Sequence, residues 1–129
     1  MNTSSTLSLK QKINQLPTPD VLKLLNDSSL VKRVHSIATL LKRLNQDPSL
    51  LEIVKQSILN SENMSSRLMG TISVSHLGIA ELFRIGSVDT TSTAWQIINS
   101  LEEPNRSDLI WYLKSENLLS ESHSVSAPS

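Results

Sequence analysis

Between Leu30 and Leu44 the large apolar residues recur at spacings of 4, 3, 4 and 3, as Leu30, Val34, Ile37, Leu41 and Leu44. That rhythm gathers them into one stripe along a helix, which Val31 and Ala38 widen. The same period runs from Leu9 to about Leu118, and no strand-like alternation interrupts it. With three glycines and four aromatic residues the chain also lacks the usual material of a β fold. The sequence therefore predicts an all-α protein.

Start and stop signals divide that period into segments. Leu9, Ile13 and Leu16 form a short first face that Pro17 ends. Thr18-Pro19-Asp20 reads as a helix start, and Asp47-Pro48 repeats the signal before Leu50, Leu51, Val54, Ile58 and Leu59. Gly70 and Gly78 weaken the stretch from 62 to 85, so a break or irregular turn is expected around Gly70-Thr71. Gly86 fits a terminator after Ile85, and Asp89 is read as the next cap. Pro104 sets off a last helix carrying Leu109, Ile110 and Leu113.

The segments repeat. At an offset of 42 residues Ile37 meets Ile79, Ala38 meets Ala80, Leu40 meets Leu82 and Leu41 meets Phe83. Lys42 then meets Arg84, Asp47 meets Asp89 and Leu59 meets Leu101. A period of about 40–47 residues with two helices per unit is that of stacked helical pairs, where each pair buries its neighbour's open face. The expectation is a short α-solenoid of about three antiparallel pairs; a compact helical bundle is the alternative.

The blocks VKRVHSIATLLKRLNQDPSLLEIVKQSILNSEN and LGIAELFRIGSVDTTSTAWQIINSLEEPN resemble the HEAT-repeat family, over about residues 18–117. They share its basic and small aliphatic start, a Leu-x-Arg-Leu/Ile end, a short turn, and a Leu-rich helix closing in Asn or Asp. They depart from it at the polar segment Ser61–Ser73, at the short first pair, and at His35, which replaces the usual small residue. The resemblance implies a right-handed superhelix and a scaffold that binds other proteins.

Most chemistry has no signature here. The chain contains no cysteine, which removes disulfides, thiolate zinc sites and cysteine nucleophiles. His35, His76 and His123 lie far apart without acidic neighbours at metal-ligand spacing. Gly70, Gly78 and Gly86 are too dispersed to cradle a phosphate, and no nucleophile elbow occurs. No catalytic, cofactor-binding or metal-binding residue is assigned, and the chain is read as non-enzymatic.

Two constellations remain as candidate partner-binding sites. Lys32, Arg33, Ser36, Thr39, Lys42 and Arg43 fall opposite the apolar stripe of a helix expected over 29–45, either as a docking strip or as a merely solvated face. Leu109-Ile110-Trp111-Tyr112-Leu113 cannot turn all its side chains to one neighbour, because successive residues rotate by about 100°. Trp111 or Tyr112 must then point elsewhere, as a partner anchor or into a second buried side. Trp95 belongs to the same patch or to the core.

The formal net charge is zero, yet residues 1–45 carry seven basic and two acidic side chains against five and ten in residues 46–129. The expected partner is another protein or a second copy of the chain as a homodimer. Nucleic acid, bound through the basic helix, is the alternative, although no aromatic residue interleaves its charges. No leader or membrane-spanning run is visible, so a cytoplasmic location is expected. Residues 7–119 are expected to form a single domain, with 1–6 and 120–129 disordered.

Overall fold

Serine and asparagine punctuate the helices. In the computed structural model, which describes residues 7–119, Ser8 accepts from the Gln11 amide at 3.1 Å while the Gln11 side chain accepts from Ser8 N–H at 2.8 Å. This capping box opens α1 (Leu9–Asn14). Proline near its start opens α2 (Thr18–Leu24), Ser29 caps α3 (Leu30–Leu41), and α4 spans Leu50–Leu59. Asn60 caps the short α5 (Ser61–Ser65). Reciprocal boxes from Ser73 and Ser87 open α6 (Val74–Ile85) and α7 (Val88–Ser100), and α8 spans Asn105–Ser115. Among the described residues no helix is long and apolar enough to cross a membrane.

The chain is mainly helical, as its period requires. One element departs from that expectation. Between α5 and α6, β1 (Arg67–Met69) pairs antiparallel with β2 (Ile72–Ser73), in the register Arg67 with Ser73 and Met69 with Ile72. The break expected at Gly70-Thr71 is the turn of this hairpin, where Gly70 has φ +54°. Strands of two and three residues are too short for alternation to register, which is why the sequence hid them. A second correction concerns Asp89: Ser87 caps α7, and Asp89 lies in the first turn, where its carboxylate faces the helix dipole favourably.

α3 is the hub. It packs against α1, α2, α4 and α6; α6 packs in turn on α4 and α7, and α4 touches α7. The 42-residue equivalences fall in this seam, where Ile37, Ile79, Ala38, Ala80, Leu40 and Leu82 are all buried. Gly78 permits the close approach: a Cβ there would meet Ile58 Cγ1 at 2.9 Å and Ile37 Cδ1 at 3.4 Å. The glycine that weakens α6 as an isolated helix is thus what lets α6 settle against α3 and α4.

The expected disorder of residues 1–6 and 120–129 concerns chain outside the described residues.

Candidate functional site

The six-residue strip expected along α3 is not a continuous exposed face. Arg33, Ser36 and Thr39 are 7 %, 0 % and 2 % exposed, because α3 is covered on more than its apolar side. Arg33 donates from Nε to the Asp27 carbonyl at 2.6 Å, from Nη1 to Asn63 Oδ1 at 2.9 Å and from Nη2 to Glu62 Oε2 at 3.2 Å. It ties the turn before α3 to α5. Arg43 donates to Thr18 Oγ1 at 2.9 Å and to the carbonyls of Asn14 and Leu16 at 3.0 and 2.7 Å. It therefore satisfies carbonyls at the end of α1, where a helix presents unpaired acceptors and partial negative charge.

Thr39 donates to Asn14 Oδ1 at 2.6 Å, and Ser36 donates to the Arg33 carbonyl at 2.7 Å. Lys32 and Lys42 are the two members of the strip left at the surface, half-buried and exposed respectively. A basic residue at helical spacing reads the same whether it faces solvent or the carbonyl end of a neighbouring helix. This is why sequence alone joined the clamps to the lysines.

The second constellation divides more sharply. Leu109, Tyr112 and Leu113, at i, i+3 and i+4, turn inward, and Trp111 is left 66 % exposed. Trp95 goes to the core instead, edge-on to Phe83 with ring centres 5.6 Å apart and planes at 82°.

Trp111 borders a cleft of about 460 Å³. One wall is the hairpin turn, Gly70, Thr71 and Ile72; the other is Trp111, Tyr112, Ser115 and Glu116 of α8 and its end. Arg67 ties the walls together, donating from Nη1 to the Thr71 carbonyl at 2.5 Å and from Nη2 to Asn105 Oδ1 at 3.4 Å. At the other end Arg84 pairs with Glu81 at 2.7 Å and with Glu116 at 3.2 Å. Burial opposes the Arg84 charge, but Glu81 and the Tyr112 hydroxyl outweigh it and hold the guanidinium pKa above its ordinary value.

Behind the hairpin lies His76, fully buried at the start of α6. Its Nδ1 accepts from Ser73 N–H at 3.3 Å while Ser73 Oγ accepts from the His76 amide at 3.1 Å. With Nδ1 an acceptor, the neutral ring carries its proton on Nε2, and that atom has no hydrogen-bond partner among the described residues. Burial first, and then the Arg67 charge, lower the His76 pKa to about 4; Asp108 and the Thr71 carbonyl pull weakly the other way. His76 is neutral at pH 7.

The hairpin wall and Arg67 were not among the candidates from sequence; the only signal there was the glycine break. No group of three or more metal-ligating side chains converges among the described residues. Chemically the cleft offers an aromatic anchor, a mostly apolar floor and one carboxylate already paired with Arg84. An aromatic ring beside an apolar floor is the kind of surface that can take up an apolar or aromatic group. Set against protein-family models, curated proteins and solved structures, the chain finds no match.

Proposed function

We propose that this chain is a non-enzymatic, HEAT-like protein-interaction module or adaptor that grips a partner protein at the cleft between the hairpin turn and α8. The observation that carries this reading is Trp111: among the described residues it is the one large aromatic side chain held two-thirds in solvent, and it borders the cleft between the hairpin turn and the end of α8. Exposed tryptophan next to a concave apolar surface is the usual form of a binding anchor. The stacking of α3 on α6 and of α4 on α7, with equivalent residues at 42-residue spacing in the seam, supports the repeat reading. The cytoplasm is the proposed setting, which a cysteine-free chain suits.

The test is comparative capture from the native host with the wild-type chain and Trp111→Ala side by side, both verified as folded by circular dichroism. A protein retained by the wild type and lost with the variant supports the proposal. Identical retention by both chains, or none by either, removes it.

A second reading, nucleic-acid binding, is favoured by Lys32 and Lys42 at the α3 surface. It predicts a gel shift that fades with salt and weakens in Lys32→Ala/Lys42→Ala. The absence of any shift at low salt excludes it.

A further inference from the structure

His76 is fully buried at the third position of α6, and its two ring nitrogens leave no place for a second proton. Nε2 carries the proton of the neutral ring and meets no acceptor among the described residues. Nδ1 is the basic atom, and it accepts the Ser73 backbone N–H at 3.3 Å. Acid therefore protonates the atom to which this N–H donates. An imidazolium has a donor on each nitrogen and no acceptor, so it faces the Ser73 N–H donor to donor and the reciprocal capping box breaks.

The group that loses its partner belongs to the hairpin. Ser73 is the last residue of β2 and pairs with Arg67 of β1. Arg67 donates from Nη1 to the Thr71 carbonyl, a backbone acceptor that also draws the His76 ring. A charged ring brings a second cation to a carbonyl that a guanidinium already holds. The carboxylate that acts on His76 is Asp108 of α8, and its pull is weaker than burial or Arg67. Ionisable groups on the other helices packed against α6 turn elsewhere. Arg33 of α3 pairs with Glu62 of α5, and His35 of α3 faces Lys10 and Glu81. Glu52 and Lys55 of α4 bond to Gln56 and Gln96, and Asp89 of α7 lies beside Leu44 and Asn45.

A buried imidazole that cannot hold a second proton in place takes one only when something around it moves. The hairpin is the weakest of its neighbours. Strands of three and two residues do not hold themselves together in water. β1 packs chiefly on β2, whereas α6 is held by α3, α4 and α7.

We propose that the hairpin is an acid-operated latch: protonation of His76 frees β1 and β2, and with them the start of α8 that Arg67 holds through Asn105, while the packed helices stay folded. The latch acts on the Trp111 cleft, because Gly70, Thr71 and Ile72 form one of its walls. Opening needs no partner, so it stands or falls apart from the reading of the cleft as a docking site. Where that reading holds, acid releases the bound segment. The opened ring titrates at its ordinary value near 6.5 and the closed ring at about 4. Closure is therefore favoured above pH 6.5 and is lost as pH falls towards 4, with the opening equilibrium rising about 20-fold from pH 7 to pH 5.

Amide hydrogen exchange of the full chain at pH 7 and pH 5, in urea below the unfolding transition, tests it. The reporter is the Val74 N–H, which donates to the Ser66 carbonyl across the hairpin at 2.9 Å. Its protection factor, corrected for the intrinsic pH dependence of exchange, should fall about 20-fold at pH 5. It should also respond weakly to urea, unlike the protection of the fully buried Ile37 and Leu40 of α3. His76→Gln, which cannot titrate, should abolish the fall. Arg67→Gln, which leaves His76 in place, should lower Val74 protection already at pH 7. Equal wild-type protection at both pH values overturns the proposal, as does a fall that survives in His76→Gln or unchanged protection in Arg67→Gln. A fall that follows urea as steeply as that of Ile37 overturns it too, because acid then acts through global unfolding alone.

Discussion

Gly78 and Ile58 are in contact so close that a single added carbon would not fit: the missing Cβ would stand 2.9 Å from Ile58 Cγ1. Ala is the better helix former, so Gly78→Ala would stabilise α6 if it stood alone. Here the added methyl forces Ile58 or the α4–α6 spacing to give, and overpacking of this kind costs about 1–3 kcal/mol. Urea unfolding should show that loss. Ile58→Val, which removes the far end of the opposing side chain, should recover part of it in the double variant, a coupling that a mutant cycle measures directly.

Arg33 and Glu62 form an ion pair with unequal partners. The Arg33 side chain is 8 % exposed and that of Glu62 is 68 % exposed. Glu62→Gln should therefore change stability by no more than about 1 kcal/mol. Arg33→Met also strands the Asp27 carbonyl and Asn63 Oδ1, and should cost about 2–4 kcal/mol. Equal effects of the two variants in denaturant titrations would mean that the exposed ion pair, rather than the buried hydrogen bonds, holds α5 in place.

Acid should weaken the fold through His76. Its pKa is lowered to about 4 in the folded chain, against an ordinary value near 6.5. On acidification the unfolded state takes up the proton first, so stability falls as pH drops from about 6.5 towards 4 and is independent of this group above that window. The full difference is about 3 kcal/mol. His76→Gln keeps an acceptor at the third helical position for the Ser73 amide and cannot titrate. Its stability profile should be flatter by that amount between pH 6.5 and 4, as thermal melts across the range would show.

The two tryptophans should respond in opposite ways. Trp95 is 5 % exposed and packs on Phe83, so Trp95→Ala should lose about 3–5 kcal/mol of stability. Trp111 is 66 % exposed, and Trp111→Ala should stay within about 0.5 kcal/mol of the wild type. A large drop in melting temperature for Trp111→Ala would show that the indole supports the fold.

Periodicity made the helices legible, because a helix with one apolar stripe leaves that stripe in the sequence. It did the same for the terminator at Gly86 and for the burial of the Ile37/Ile79 and Leu40/Leu82 pairs. It misled on α3, since a stripe argument assigns every polar residue to solvent and α3 has four helices packed against it. Arg33 and Arg43 look like surface cations in one dimension and become clamps only when Asn63 and Asn14 arrive from 30 and 29 positions away. The cleft was half legible: the run around Trp111 required Trp111 or Tyr112 to turn away from its neighbours, but the opposite wall depends on a hairpin too short to leave a pattern.

Arg67 gives that hairpin a dependence that its length requires. Two strands of two and three residues do not hold themselves together in water. The guanidinium that closes the turn on Thr71 also holds Asn105, 38 residues on, so the turn and the start of α8 are fastened by one side chain. The two segments should open and close as one unit, with the Val74 amide, which donates to Ser66 across the hairpin at 2.9 Å, exchanging its hydrogen in step with the first bonded amides of α8. A ligand wedged beside Trp111 would then be felt in the slowed exchange of an amide at the root of α6, on the far side of the turn from the ligand itself.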